Sequence, residues 1–183
     1  MLDKDMREPL FDYLDTEFGK VRTIEEKIIK KSRADVLAIT DGAIIGIEIK
    51  SDADTYTRLA TQVKDYDKYC DYCYIAVGES HRLHAAEHVP SYWGIISVEL
   101  IKGEVDFYRV REAKHNPKAR IRNKMTLLWK SEFSHILAEN DMPKYAQKSK
   151  KFIAEKLMAK VPEDILNRQI SDELFERDYT IYD

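Results

Sequence analysis

The sequence predicts an α/β protein: a mixed central sheet flanked by helices, followed by a C-terminal extension made of helices alone. Three observations lead there. Two apolar runs, within 34–40 and 43–50, are joined by Asp41-Gly42, one of the strongest short-range hairpin signals. Strand-like and helix-like segments then alternate as far as Arg111, the pattern of a sheet covered by helices. Beyond Arg111 the apolar residues recur only at helical spacing, and the local charge changes sign.

Residues 3–18 read as a helix, with Leu10, Phe11, Leu14 and Phe18 on one face and Gly19 as its stop. Residues 21–31 alternate as a strand around Val21, Ile24 and Ile28. The hairpin follows over 34–50, and its Asp-Gly turn is expected to be type I′, with positive φ at both central residues. A second helix is expected over 54–69, where Leu59, Val63, Tyr66 and Cys70 form an apolar stripe and Asp52 or Asp54 serves as N-cap. Tyr72 to Val77 reads as a strand ended by Gly78, 82–89 as a short helix, Trp93 to Glu99 as a strand. A Lys102-Gly103 turn leads into a last strand, Val105 to Val110. Asn116-Pro117 marks a linker. Ser131 is expected to cap a helix carrying Phe133, Ile136 and Leu137. A break at Asn140 to Pro143 precedes a helix with Phe152, Ile153, Leu157 and Met158, ended by Pro162; a third carries Ile165, Leu166, Ile170 and Leu174. The expected division is a core over 1–112 and a helical extension over 113–183.

At 183 residues one domain, or one with an appendage, is expected, and 44% apolar content is ordinary for a globular chain. No apolar run is long enough to cross a bilayer, and the polar start lacks a signal-peptide pattern, so a cytoplasmic protein without membrane contact is expected. Cys70 and Cys73 have C-x-x-C spacing but no second Cys/His pair, and read as two small buried hydrophobes. The net charge of −3 conceals an asymmetry. Residues 1–112 carry 16 basic and 22 acidic side chains, a net of −6; residues 114–160 carry 12 and 4, a net of +8; residues 161–183 carry 2 and 7, a net of −5. Lys118, Arg120, Arg122 and Lys124 are the densest basic cluster and the candidate nucleic-acid contacts, although charge alone fits a solvated helical surface equally well.

The candidate site follows from pairing arithmetic. If Asp41 and Gly42 form the turn, Thr40 pairs with Ala43 and Asp35 faces Glu48, with Cβ atoms roughly 4.5–5.5 Å apart. Lys50, two residues on, shares that face. Facing carboxylates repel, and a divalent metal between them removes the conflict. Glu48 also interrupts the run Ile44-Ile45-Gly46-Ile47, where a bare charge is costly. Arg58, Gln62 and Tyr66 form an i, i+4, i+8 row on the next helix: Arg and Gln can bond phosphate oxygens and Tyr can stack on a base. Tyr66 equally continues the apolar stripe.

Asp35, twelve residues, then Glu48-Ile49-Lys50 on a hairpin preceded by a helix resembles the PD-(D/E)xK nuclease superfamily, and in particular a bacterial and phage branch with Arg-Ala-Asp, Glu-Ile-Lys-Ser and a following helix with Gln and Tyr. Ala34 stands where the motif often has proline. The resemblance implies a restriction-endonuclease-like sheet and a Mg²⁺ site, open to Mn²⁺, made by Asp35, Glu48 and the Ile49 carbonyl. Lys50 then acts on the attacking water or the phosphate. Such nucleases often add an acid from the first helix, for which Glu8 is the candidate and Glu25 and Glu26 the rivals. Gln62 and Tyr66 match an element that holds the substrate strand. The segment Trp129 to Val161 is similar to a SAP-type helix–loop–helix DNA-binding unit. The expected function is metal-dependent hydrolysis of phosphodiester bonds, with DNA as the expected partner. The alternative is a catalytically silent nucleic-acid-binding protein or adaptor on the same fold. The oligomeric state is open, and a homodimer is compatible with the sequence.

Overall fold

In the computed structural model, which describes residues 1–180, one six-stranded sheet lies between two helical layers. Strands β1 (Arg22–Ile29), β2 (Ser32–Thr40), β3 (Ala43–Lys50), β4 (Tyr72–Gly78), β5 (Gly94–Ile101) and β6 (Glu104–Arg111) stand side by side in chain order. Two hairpins make β1–β2–β3 antiparallel; β3–β4 and β4–β5 are parallel, and β5–β6 is antiparallel. Parallel neighbours need a crossover. The first is helix α2 (Leu59–Tyr69), and the second contains the single turn α3 (Ala85–His88). The expected mixed α/β architecture is therefore the one observed.

Helix α1 (Asp3–Phe18) covers one face, burying Met6, Leu10 and Leu14 against Val36, Ala38, Ile45, Ile47 and Ile49. The other face carries α2 and the C-terminal helices α4 (Ile121–Lys124), α5 (Lys130–Glu139), α6 (Lys150–Lys160) and α7 (Glu163–Glu176). Phe133, Leu157 and Ile170 from these helices share one buried cluster with Leu37, Ile39 and Tyr66. The extension thus completes the core of the sheet. Cys70 and Cys73 are free thiols buried in that cluster. Among the described residues no helix is long and apolar enough to cross a membrane.

Local departures from the expected elements have identifiable causes. Thr40 pairs with Ala43, but only Gly42 has positive φ (73°), so the turn is not type I′. Helix α2 starts at Leu59 because neither aspartate caps it. Asp54 accepts from the Ser51 N–H (2.9 Å) and hydroxyl (2.6 Å), and Asp52 accepts from the Ser80 N–H (3.0 Å). Helix α5 starts one residue before Ser131, and the Glu132 carboxylate accepts from the Trp129 N–H at 2.6 Å. The 82–89 helix shrinks to α3 after a 3-10 turn at Glu79–His81.

Side-chain alternation breaks beside the candidate site. Ile24 and Ile29, an odd number of residues apart on β1, lie in the same buried cluster, and so do Ala34 and Leu37 on β2. The break falls where Glu26 (φ 53°) stands opposite Asp35, a pair missing from an otherwise continuous ladder. A non-glycine residue held at positive φ stores strain that surrounding contacts must offset.

Candidate active site

The pairing of β2 with β3 runs from Thr40–Ala43 to Val36–Ile47, and Asp35 and Glu48 are the next residues outward. The Asp35 carboxylate crosses the gap and accepts from the Ile49 N–H at 2.9 Å. Gly46, Glu48 and Lys50 alternate onto the α2 face of β3. At Gly46 a β-carbon would stand 2.7 Å from the Cys70 sulfur and closer still to the Tyr66 ring, so only glycine lets α2 approach this near.

That approach places two α2 side chains at the pair. The Lys50 ammonium donates to Glu48 Oε1 at 2.5 Å, and the Gln62 amide donates to the same oxygen. Lys50 also donates to Gln62 Oε1 at 3.3 Å, which closes a three-membered network. Glu48 is 0% exposed and its second oxygen, Oε2, has no hydrogen-bond partner. Burial, reinforced by the charge of Asp35 and opposed by Lys50, pushes the Glu48 carboxyl up to about 7. Burial also raises Asp35, against the Ile49 N–H, Lys50 and Arg7.

The remaining expected residues divide. Tyr66 is fully buried: its hydroxyl accepts from the Asp35 N–H (2.9 Å) and donates to the Ile47 carbonyl (3.0 Å). It braces the two strands and has no face free for a base, which corrects its expected role in binding nucleic acid. Arg58 is exposed at the N-cap of α2. Glu8 is exposed, and among the described residues no three His, Cys, Asp or Glu side chains form a metal-holding group, so the structure does not bring Glu8, Glu25 or Glu26 to the pair as a third acid. The first helix contributes Arg7 instead. Its guanidinium lies 2.7 Å from Asp3, 2.7 Å from Glu26, 3.4 Å from Glu25 and 3.6 Å from Asp35. Sequence reasoning missed Arg7 because its partners come from α1, β1 and β2, and no spacing records that meeting. Of Ile49, the amide makes the observed contact with Asp35.

The basic cluster is not one surface. Lys124 is 3% exposed and its ammonium is held by Asp71 and, at 2.6 Å, by Asn167 Oδ1, which corrects its assignment as a nucleic-acid contact. Lys118 pairs with Asp67 at 3.2 Å. Arg120 and Arg122 are exposed. The Arg120 N–H donates to the Lys68 carbonyl near the C-terminal end of α2. Ten residues of helix separate Arg58 from Lys68, about 15 Å at 1.5 Å per residue, so Arg120 lies well away from Arg58 along α2.

As a cation site the pair offers hard oxygen donors from two strands, one of them a buried, unpartnered carboxylate oxygen. That donor set fits Mg²⁺ or Mn²⁺, which favour oxygen ligands and retain several waters.

A family model described as Bacteriophage P4 protein cII matches residues 4–180. No curated protein matches the chain. Among solved structures, one titled "The structure of Pyrococcus Furiosus SfsA in complex with Ca2+" is 16% identical, covering 61% of this chain and 63% of that chain, with a TM-score of 0.40. This chain therefore spans less than two thirds of that protein.

Proposed function

This chain belongs to the bacteriophage P4 protein cII family, and from that premise and the geometry of its carboxylate pair we propose that it is a metal-dependent nuclease of the PD-(D/E)xK kind, acting on DNA. The observation that carries the reading is Glu48: a fully buried carboxylate with one free oxygen, beside Asp35 and Lys50. Buried carboxylate oxygens in native proteins are in the large majority hydrogen-bonded, so an unpartnered one supports a ligand at this position.

In the proposed reaction a water oxygen bonds to phosphorus and the bond to the leaving sugar oxygen breaks. One proton leaves the water and one reaches the leaving oxygen. A divalent cation held by the Asp35 and Glu48 carboxylates would supply positive charge at the phosphate and make its bound water more acidic. Gln62 and Lys50 both engage Glu48 Oε1, which fixes the carboxylate and leaves Oε2 free. The Ile49 N–H fixes Asp35. Lys50, held by Glu48 and Gln62, presents a charge to the attacking water or the phosphate.

A second reading, a binding protein that does not cut, draws on Arg7, whose guanidinium already neutralises Asp35. Thermal melts with Mn²⁺ separate the two. The nuclease reading expects Mn²⁺ to raise Tm in the wild type and not in Asp35→Asn or Glu48→Gln, because a ligand of the native state stabilises it by about 2.7 kcal/mol at a hundred times Kd. An unchanged wild-type Tm favours the silent binder.

A further inference from the structure

We propose that nucleic acid is gripped through its sugar–phosphate backbone in the cleft between the β1–β2 turn and the start of α2, by Lys31, Arg33 and Arg58. The proposal rests on the nuclease reading only for which polymer is bound. The cleft has a volume of about 400 Å³, and its wall includes Asp35 and Gln62, the second of which donates to Glu48, so the cleft adjoins the candidate site on its Asp35 side. Lys31, Arg33 and Arg58 line it, and all three are exposed. Arg33 pairs with Glu26, whereas among the described residues no ion pair engages Lys31 or Arg58. Two cations outside any ion pair and a third held by Glu26, set around a recess whose wall holds the Asp35 carboxylate, form an attractive rim for a polyanion.

The composition of the cleft defines what it reads. Its other lining side chains are Ser32, Thr61 and Gln62, which can bond phosphate and sugar oxygens, and among the described residues no aromatic ring on which a base could stack lines it. The grip is therefore indifferent to base sequence. The basic cluster near Lys118 does not line this recess, and two of its four cations are paired with aspartates. The sequence singled out that far cluster because charge density along the chain does not report which cations fold around one cleft.

The test is binding in EDTA, which removes cleavage from the measurement. Fluorescence anisotropy with mixed-sequence single-stranded DNA, duplex DNA and single-stranded RNA is recorded against salt for three proteins: the wild type, Lys31→Gln/Arg33→Gln/Arg58→Gln, and Arg120→Gln/Arg122→Gln. All the changed residues are exposed, and equal melting temperatures verify folding. The cleft variant is expected to bind any bound polymer at least tenfold more weakly. Its slope of log affinity against log salt should be smaller by about 2 on a single strand, at roughly 0.7 per lost contact. The far-cluster variant should match the wild type. Failure of the wild type to bind any of the three, an unchanged slope in the cleft variant, or equal losses in both variants overturns the proposal. A protein that binds through the cleft and never cuts in Mg²⁺ refutes the nuclease reading and leaves the cleft standing.

Discussion

Glu48 makes the site measurable at the scale of one residue. Its carboxyl is pushed up to about 7, well above the unfolded value near 4.5, so the folded state favours the protonated form. The stability this contributes is fully present below pH 4.5 and is lost as pH rises through 7. Without metal, the wild type should lose on the order of 3 kcal/mol over that window relative to Glu48→Gln, at 1.36 kcal/mol per unit. Denaturant melts of both proteins in EDTA, taken as a difference curve against pH, check this; a flat difference curve contradicts the burial of Glu48. A divalent cation should reverse the trend, because it favours the ionised form. Tyr66 gives a second expectation. Its hydroxyl joins the Asp35 N–H to the Ile47 carbonyl, so Tyr66→Phe should cost about 1–3 kcal/mol in a denaturant melt. A change near zero would mean that the brace is absent.

Among the elements, those written in local signals were legible before any coordinates. The β2–β3 hairpin is specified by Asp41-Gly42 and by side-chain alternation, and both act within a few residues. That register puts Glu48 and Lys50 on one face and leaves Asp35 as the next residue beyond its last pair. What escaped depends on tertiary contacts. Asp52 and Asp54 look like helix caps until Ser80 and Ser51 claim them. Lys124 looks like a surface cation until α7 and the start of β4 enclose it with Asn167 and Asp71. The two basic residues of α4 therefore make opposite predictions. Lys124→Ala leaves Asp71 buried without its cation and should cost about 3–5 kcal/mol. Arg122→Ala removes an exposed pair with Glu155 and should cost under about 0.5 kcal/mol. Chemical denaturation of the two variants compares them directly, and equal costs would contradict the burial of Lys124.

For the whole molecule, the sheet has two covered faces, and the C-terminal helices provide much of one cover. Leu37, Ile39 and Tyr66 lose Phe133, Leu157 and Ile170 if the chain stops at residue 112. A 1–112 fragment should therefore show no cooperative thermal transition, and a sharp one would restore an independent core. The same architecture holds the carboxylate pair from two sides: α1 brings Arg7 from one, and α2 brings Gln62 and Tyr66 from the other. Cleavage of a phosphodiester by this enclosed constellation is the proposed activity. Incubating wild type and Lys50→Ala with plasmid, linear duplex and single-stranded DNA, in Mg²⁺, in Mn²⁺ and in EDTA, tests it most directly. Cleavage is expected from the wild type in either metal, none in EDTA, and none from Lys50→Ala even though that variant still binds. Folded wild type that leaves every substrate intact in both metals, or a Lys50→Ala variant that cuts as well as the wild type, contradicts it.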